Sequence, residues 1–338
     1  MTTSADLLTG LPDRIAATER LIRPYVRETP VELSLALSES AGADVWLKLE
    51  NVQHTGSFKV RGAFSKLLRL TEVERARGIV TASSGNHGAA TAWASRALNV
   101  PALVFVPQQA SSTKLQAIRR AGAEVELYGV DGVDTEIHAR RVAEERGLPY
   151  VSPYNDADIV AGQGTLGLEL RRQLPGLDVV FIAVGGGGLI GGAAAALKAE
   201  RPEIRIVGCL PEHSPVMARS VAAGAIIEME SLPTLSDGTA GGIEPGAVTF
   251  ALCRSLVDEW VLVTEAEIAA AMRHCLTAEH TLVEGAAGVA VAGFWRKERE
   301  LPGARVAVVL CGANVSVEKL AGVLSAGHGS GVTGRGVD

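Results

Sequence analysis

The chain has 338 residues, 47% of them hydrophobic and 21% charged, with a formal net charge of −6. These values suit a soluble globular protein of one large or two medium units, each able to bury a core. They exclude a general nucleic-acid surface, and no apolar run reaches membrane-spanning length. The opening residues, Met1 to Asp6, lack the basic and apolar regions of a secretory signal. Cys209, Cys253, Cys275 and Cys311 lack paired metal-ligand spacing, so reduced thiols in a cytoplasm are expected rather than disulfides.

Ile15, Leu21, Ile22 and Val26 predict an amphipathic helix over 11–27, broken at Thr29-Pro30. Residues 45–50 alternate as a strand. Phe58, Ala63, Phe64, Leu67 and Leu68 predict a helix opening near Lys59. A short apolar strand over 78–83 runs into Ser84-Gly85-Asn86-His87-Gly88 and an alanine-rich helix to about Leu98. Strand, helix, strand and helix follow at 102–106, 114–121, 122–128 and 134–146. This alternation predicts a parallel sheet covered on both faces, in a unit near 50–152. Residues 149–155 cross to a second unit. Its predicted elements are helices over 162–174 and 190–200, a fully apolar strand over 178–184, and strands at 205–210, 260–263 and 306–310. The Gly/Ser-rich tail beyond about Leu324 is expected to be disordered.

Three loops stand out. Lys59 follows Gly56-Ser57-Phe58 at the start of a helix. Most lysines at helix starts are surface residues. Here the positive helix end and partial burial would both disfavour an ammonium, and a neutral lysine is a nucleophile suited to a Schiff base. Gly185-Gly186-Gly187-Gly188-Leu189 lies between a buried strand and a helix, where backbone N–H groups suit a phosphate. Gly186, Gly188 and Gly191 also meet the dinucleotide pattern, with Glu212 placed for a ribose. On this run alone a nicotinamide oxidoreductase stands level with a plain phosphate site. Ser83-Ser84-Gly85-Asn86-His87 also joins a strand to a helix, and its short polar side chains suit a carboxylate as well as ordinary capping.

Lys48-Leu49-Glu50-Asn51 followed by Thr55-Gly56-Ser57-Phe58-Lys59-Val60-Arg61-Gly62-Ala63 resembles the lysine motif of the fold-type II pyridoxal-phosphate enzymes. It looks most like their threonine/serine dehydratase branch, with serine racemases and hydroxyectoine-utilisation dehydratases as near relatives. The resemblance recurs at separate places over roughly residues 25–320. It implies an α/β protein of the tryptophan synthase β-like kind, with two doubly wound parallel-sheet domains. Residues 1–49 and 153–324 would form a large cofactor-binding domain, 50–152 a small mobile one, and 325–338 a flexible tail.

By the same resemblance, Lys59 carries pyridoxal 5′-phosphate and Phe58 packs against its pocket. Gly185, Gly186, Gly187, Gly188 and Leu189 hold its phosphate, and Asn86 bonds its 3′-oxygen. Ser83, Ser84, Gly85, Asn86 and His87 hold the substrate carboxylate. In racemase members the serine matching Ser84 is an acid/base opposite the lysine. Cys311 would meet the pyridine nitrogen as a weak partner, which favours elimination over transamination. Gly238, in Ser236-Asp237-Gly238, would pass over the ring, and Glu284 would lie near the cofactor. The family's proline after that glutamate is Gly285 here, which puts the rigidity of that loop in question. His87 is expected to be structural rather than a base.

The activity implied is loss of water from a β-hydroxy amino acid such as L-threonine or L-serine, giving a 2-oxo acid and ammonia. The glycine-rich run 239–250 leaves open a larger substrate, such as phenylserine, hydroxyaspartate or a hydroxyectoine derivative. Racemisation is the other alternative. A homodimer acting on a small amino acid, without nucleic acid or membrane partners, is expected. The metal-ligand positions of serine racemases fall on Leu210 and Val216, with Glu212 and His213 out of register, so no metal site is expected. A regulatory C-terminal domain is not expected either.

Overall fold

A computed structural model describes residues 4–110, 112–130 and 132–325. From residue 326 on, the tail expected to be flexible lies outside them. The elements run α1 (Ser4–Ile22), β1 (Val31–Leu33), α2 (Leu35–Ala41), β2 (Asp44–Lys48), α3 (Lys59–Arg69), α4 (Glu72–Arg77), β3 (Ile79–Ala82), α5 (Asn86–Ala97), β4 (Ala102–Val106), α6 (Ser112–Arg120), β5 (Glu124–Leu127) and α7 (Gly132–Arg146). They continue with α8 (Ala157–Gln173), β6 (Val179–Ala183), α9 (Gly188–Lys198), β7 (Arg205–Pro211), α10 (Val216–Ala223), α11 (Val248–Leu256), β8 (Glu259–Val263), α12 (Glu265–Thr277), α13 (Gly285–Lys297), β9 (Arg305–Val309) and α14 (Val317–Ser325). The first helix ends at Ile22, short of the expected 27, and Leu21 is 36% exposed rather than part of the buried face.

The larger sheet has the order β1-β2-β9-β6-β7-β8, parallel except for the antiparallel edge strand β1. From β6 the chain winds outward through β7 to β8, then returns to place β9 on the other side of β6. Successive connections thus diverge between β6 and β9, which opens a crevice at their carboxyl ends. All of β6 is buried, as its unbroken apolar run requires in a sheet covered on both faces.

The smaller sheet, β3-β4-β5, is parallel. After α7 the chain returns to the free side of β3, where Tyr150 bridges Val80 in parallel. Val80 N–H donates to Pro149 O at 3.0 Å, and Val151 N–H donates to Val80 O at 2.9 Å. A second divergence therefore lies at the carboxyl end of β3.

Helix α8 joins the two regions. A Cβ at Gly162 would lie 2.5 Å from Arg61 O on α3, and one at Gly192 on α9 would lie 2.4 Å from Val160 O on α8. Only glycine permits such backbone approach. α8 is therefore packed against α3 and α9, two of the helices whose N-termini enter the site.

Candidate active site

Lys59 is the first residue of α3. The loop before it is pinned to the chain after β9: Ser57 bridges Gly312, Phe58 N–H donates to Cys311 O (3.2 Å), and Ala313 N–H donates to Gly56 O (2.9 Å). Lys59 is half-buried. Its Nζ donates to Pro153 O at 2.9 Å and lies 5.2 Å from the Phe58 ring centroid. Burial pulls its pKa down to about 8, against the opposing influence of Cys311 and Glu284. A share of the amine is thus neutral, and nucleophilic, near neutral pH.

Two residues on, Arg61 anchors the helix. Its guanidinium grips Glu50 at 2.7 and 2.8 Å and Glu169 at 2.7 and 2.8 Å. Lys48 Nζ donates to Glu169 at 2.6 Å. All four side chains are fully buried, two cations against two anions. Burial would raise the Glu169 carboxyl, but Arg61 and Lys48 outweigh it and hold it at about 2. Removing one member leaves an unpaired buried charge, at a cost of about 3–5 kcal/mol. The lysine motif therefore encodes the mount of α3 as well as the lysine at its start.

Asn86 opens α5. Its Nδ2 donates to both Glu284 oxygens, at 2.8 and 3.0 Å, and its Oδ1 accepts from Asn314 Nδ2 at 2.6 Å. Glu284 caps α13. Burial raises it to about 7, although the Asn86 hydrogen bond pulls the other way. Ser83 Oγ accepts the Gly85 N–H at 3.1 Å. Among the described residues, none hydrogen-bonds the Ser84 hydroxyl. His87 Nε2 meets Val151 O at 3.0 Å, and burial, then the Lys59 charge, pull its pKa to about 3. Its ring is neutral and packed inward, so the first-turn amides of α5, rather than the imidazole, are available to a carboxylate. The Cys311 thiol is buried and pushed well above its usual range, so it stays uncharged.

The four glycines join β6 to α9. Among the described residues, no acceptor meets the N–H of Gly185, Gly186 or Gly187. With the first-turn amides of α9 they form a cluster of donors at a helix N-terminus, fitted to a phosphate. A Cβ at Gly186 would lie 2.3 Å from the Tyr154 ring, and Gly187 has a φ of +84°. Tyr154 OH accepts the Glu244 N–H at 2.9 Å.

These parts close into a ring. Lys59 rests on Pro153 O, the next residue packs on Gly186, and a Cβ at Gly185 would lie 3.0 Å from Thr239. A Cβ at Gly238 would lie 3.6 Å from Glu284, which holds Asn86. A Cβ at Gly285 would lie 2.1 Å from Leu235 O. The glycine that replaces the expected proline thus begins α13 and lets the 235–238 segment close against it.

The sequence pattern of the pyridoxal-phosphate dependent enzymes matches residues 22–312. This chain belongs to that family. It is 40% identical over 313 residues to the L-threonine ammonia-lyase of Thermotoga maritima, covering 93% of this chain and 78% of that one. It superposes with a TM-score of 0.90 on the processed form of threonine deaminase isoform 2 from Solanum lycopersicum, at 34% identity over 95% of this chain and 93% of that one. The TM-score against maize serine racemase is 0.86, at 31% identity over 94% of this chain and 97% of that one.

Pyridoxal 5′-phosphate is the cofactor of this family, and the residues present fit it. The unmet amides after β6 match its phosphate, and the Lys59 amine matches its aldehyde. Family membership sets aside the nicotinamide reading of the glycine run. Gly191 packs on Leu252 instead, and Glu212 is held by Arg296 at 3.3 Å. Leu210 and Val216 are buried apolar side chains with no atoms for a metal, and His213 Nδ1 pairs with Pro233 O. Asn314 and Tyr154 have no assigned part in the sequence reading, and Thr239 enters it only as the first residue of the 239–250 run. Asn314 stands just after the last strand, but nothing in the local pattern marks Tyr154.

Proposed function

We propose that this chain is a pyridoxal-phosphate-dependent ammonia-lyase that eliminates water from a small β-hydroxy amino acid, L-threonine or L-serine; the enamine so formed is then hydrolysed by one water to a 2-oxo acid and ammonia. The likeness to threonine ammonia-lyase and threonine deaminase supports the reaction class. The observation that carries the assignment to a site is the Lys59 amine, half-buried with a lowered pKa and resting on Pro153 O, with the next residue, Tyr154, packed on the cradle of unmet amides.

Phe58, Lys59, Asn86, Gly185 to Leu189, Gly238, Glu284 and Cys311 would hold the cofactor. When bound, it supplies an electron sink for the bond broken at the substrate α-carbon. Lys59 takes the substrate α-proton at Nζ. Its lowered pKa suits that task near neutral pH. Ser83 to His87 receive the substrate carboxylate at the N-terminus of α5, and Ser84 is the acid/base candidate there. The uncharged Cys311 would offer the ring nitrogen only a weak partner, which would favour elimination. The unit over 50–152 is a small mobile domain that closes on the remainder, 1–49 and 153–324, and excludes water. Four buried free cysteines fit a reducing cytoplasm. Exposed Leu35, Val52 and Leu282 supply apolar surface for a homodimer.

The unpartnered Ser84 hydroxyl favours one second reading, racemisation of the same amino acids with Lys59 and Ser84 on opposite faces. The 239–250 run keeps a larger β-hydroxy substrate in view. The test is the visible spectrum of the purified protein, before and after borohydride, beside Lys59→Ala. A yellow band lost on reduction and absent from the variant is expected. L-Threonine, L-serine and bulkier β-hydroxy amino acids then show which one perturbs the band and forms a 2-oxo acid. A protein that stays colourless with added pyridoxal phosphate overturns the proposal.

A further inference from the structure

Asn314 touches three loops of the site at once. Its Nδ2 donates to Thr55 O in the lysine loop at 2.8 Å and to Asn86 Oδ1 at the start of α5 at 2.6 Å. Its backbone N–H donates to Glu284 Oε2 at 3.1 Å. Two features of the lysine loop make room for it. Thr55 has a φ of +61°, uncommon for a β-branched residue. At Gly56 a Cβ would lie 3.0 Å from Asn314 Oδ1.

The donor directions follow one from another. A backbone carbonyl only accepts, so Thr55 O requires the NH2 end of Asn314. The second N–H of that group falls on Asn86, which must then present its oxygen. The Asn86 NH2 is thereby turned toward Glu284, where both short contacts are N–H to carboxylate. The opposite amide orientation would set oxygen against oxygen there and nitrogen against nitrogen at Asn314.

We infer that Asn314 is a positioning residue: it fixes the orientation of the Asn86 amide, and so the donor that the site offers to the ring oxygen of the cofactor. This rests on the pyridoxal-phosphate reading above. Asn314→Asp keeps the size of the side chain and removes both donors, leaving Glu284 alone to orient the Asn86 amide.

The experiment is a double-mutant cycle on cofactor binding. Apoprotein is titrated with pyridoxal 5′-phosphate by absorbance, and borohydride reduction with peptide mass analysis reports attachment at Lys59. Asn314→Asp and Asn86→Ala should each weaken binding about tenfold and shift the visible band alike. In the Asn86→Ala background, Asn314→Asp should add less than about twofold, because the group it orients is gone. Losses that multiply, or a band that moves only in Asn86→Ala, overturn the role of Asn314. If Asn314→Asp does not give a cooperative thermal transition, Asn314→Ala runs the same cycle without adding charge. Wild-type protein that takes up no cofactor at Lys59 sinks the cofactor reading itself, so the two failures are distinct.

Discussion

Two loops occupy equivalent places and use opposite chemistry. Each leaves the carboxyl end of a buried parallel strand where the winding diverges, and each opens a helix. After β6 the residues are Gly185 to Gly188, and the donors are backbone amides alone. After β3 they are Ser83 to Asn86, and side chains do the work: Ser83 turns back on Gly85, Asn86 grips Glu284, and the Ser84 hydroxyl is unpartnered. Backbone amides cannot rearrange or titrate, which suits a group held through every turnover. Hydroxyls and amides can change partners, which suits a ligand that arrives and leaves.

This contrast can be broken by three measurements. The largest effect belongs to the side-chain loop. If Ser84 exchanges a proton with substrate, Ser84→Ala should lower any racemase rate by about 10²-fold or more while elimination and cofactor content persist. Equal retention of both activities would remove Ser84 from the chemistry. In the backbone loop the effect should be on cofactor retention instead. Gly186→Ala drives a methyl into the Tyr154 ring, an overpacking worth about 1–3 kcal/mol. Pyridoxal-phosphate affinity should fall by that much, both activities together, and Tyr154→Ala in the same protein should recover part of it. An unchanged dissociation constant would show that the cradle tolerates side chains.

The smallest effect concerns pH. If Lys59 attaches the cofactor it does so as the free amine, so uptake should rise with pH through about 8 and level off above. Glu284 favours the ammonium form. Glu284→Gln should therefore move the midpoint to lower pH, by less than about one unit. A rise in the midpoint would contradict the electrostatic account.

The alternation of strands and helices, the lysine at a helix start and the glycine run after a buried strand were legible because each is a local pattern. The strand over 178–184 is one example: burial on both faces demands an unbroken apolar run, and the sequence has one. The helices α2, α4, α10 to α14 and the short edge strand β1 were not anticipated. Of these, α4 buries no side chain and α2 only Leu37 and Ala41, whereas α12 does carry a stripe, Ile268, Ala271, Met272 and Cys275, that the sequence reading passes over. The segment at Glu284 shows the limit clearly. Its glycine looks like a loosened loop in one dimension, yet in the fold it begins a buried helix and admits the Leu235 backbone.

The sequence by itself determined the lysine at a helix start, the glycine run at a strand end and the αβ architecture, because a helix start, a strand end and a hydrophobic period are each written in neighbouring residues. Tertiary structure alone decided which residues share the crevice. Asn86, Glu284 and Asn314 meet across separations of 198, 228 and 30 positions. Arg61 finds Glu169 across 108. No local rule encodes such pairs. They exist because two divergent sheets, spaced by one glycine-faced helix, bring those chain segments within hydrogen-bond range.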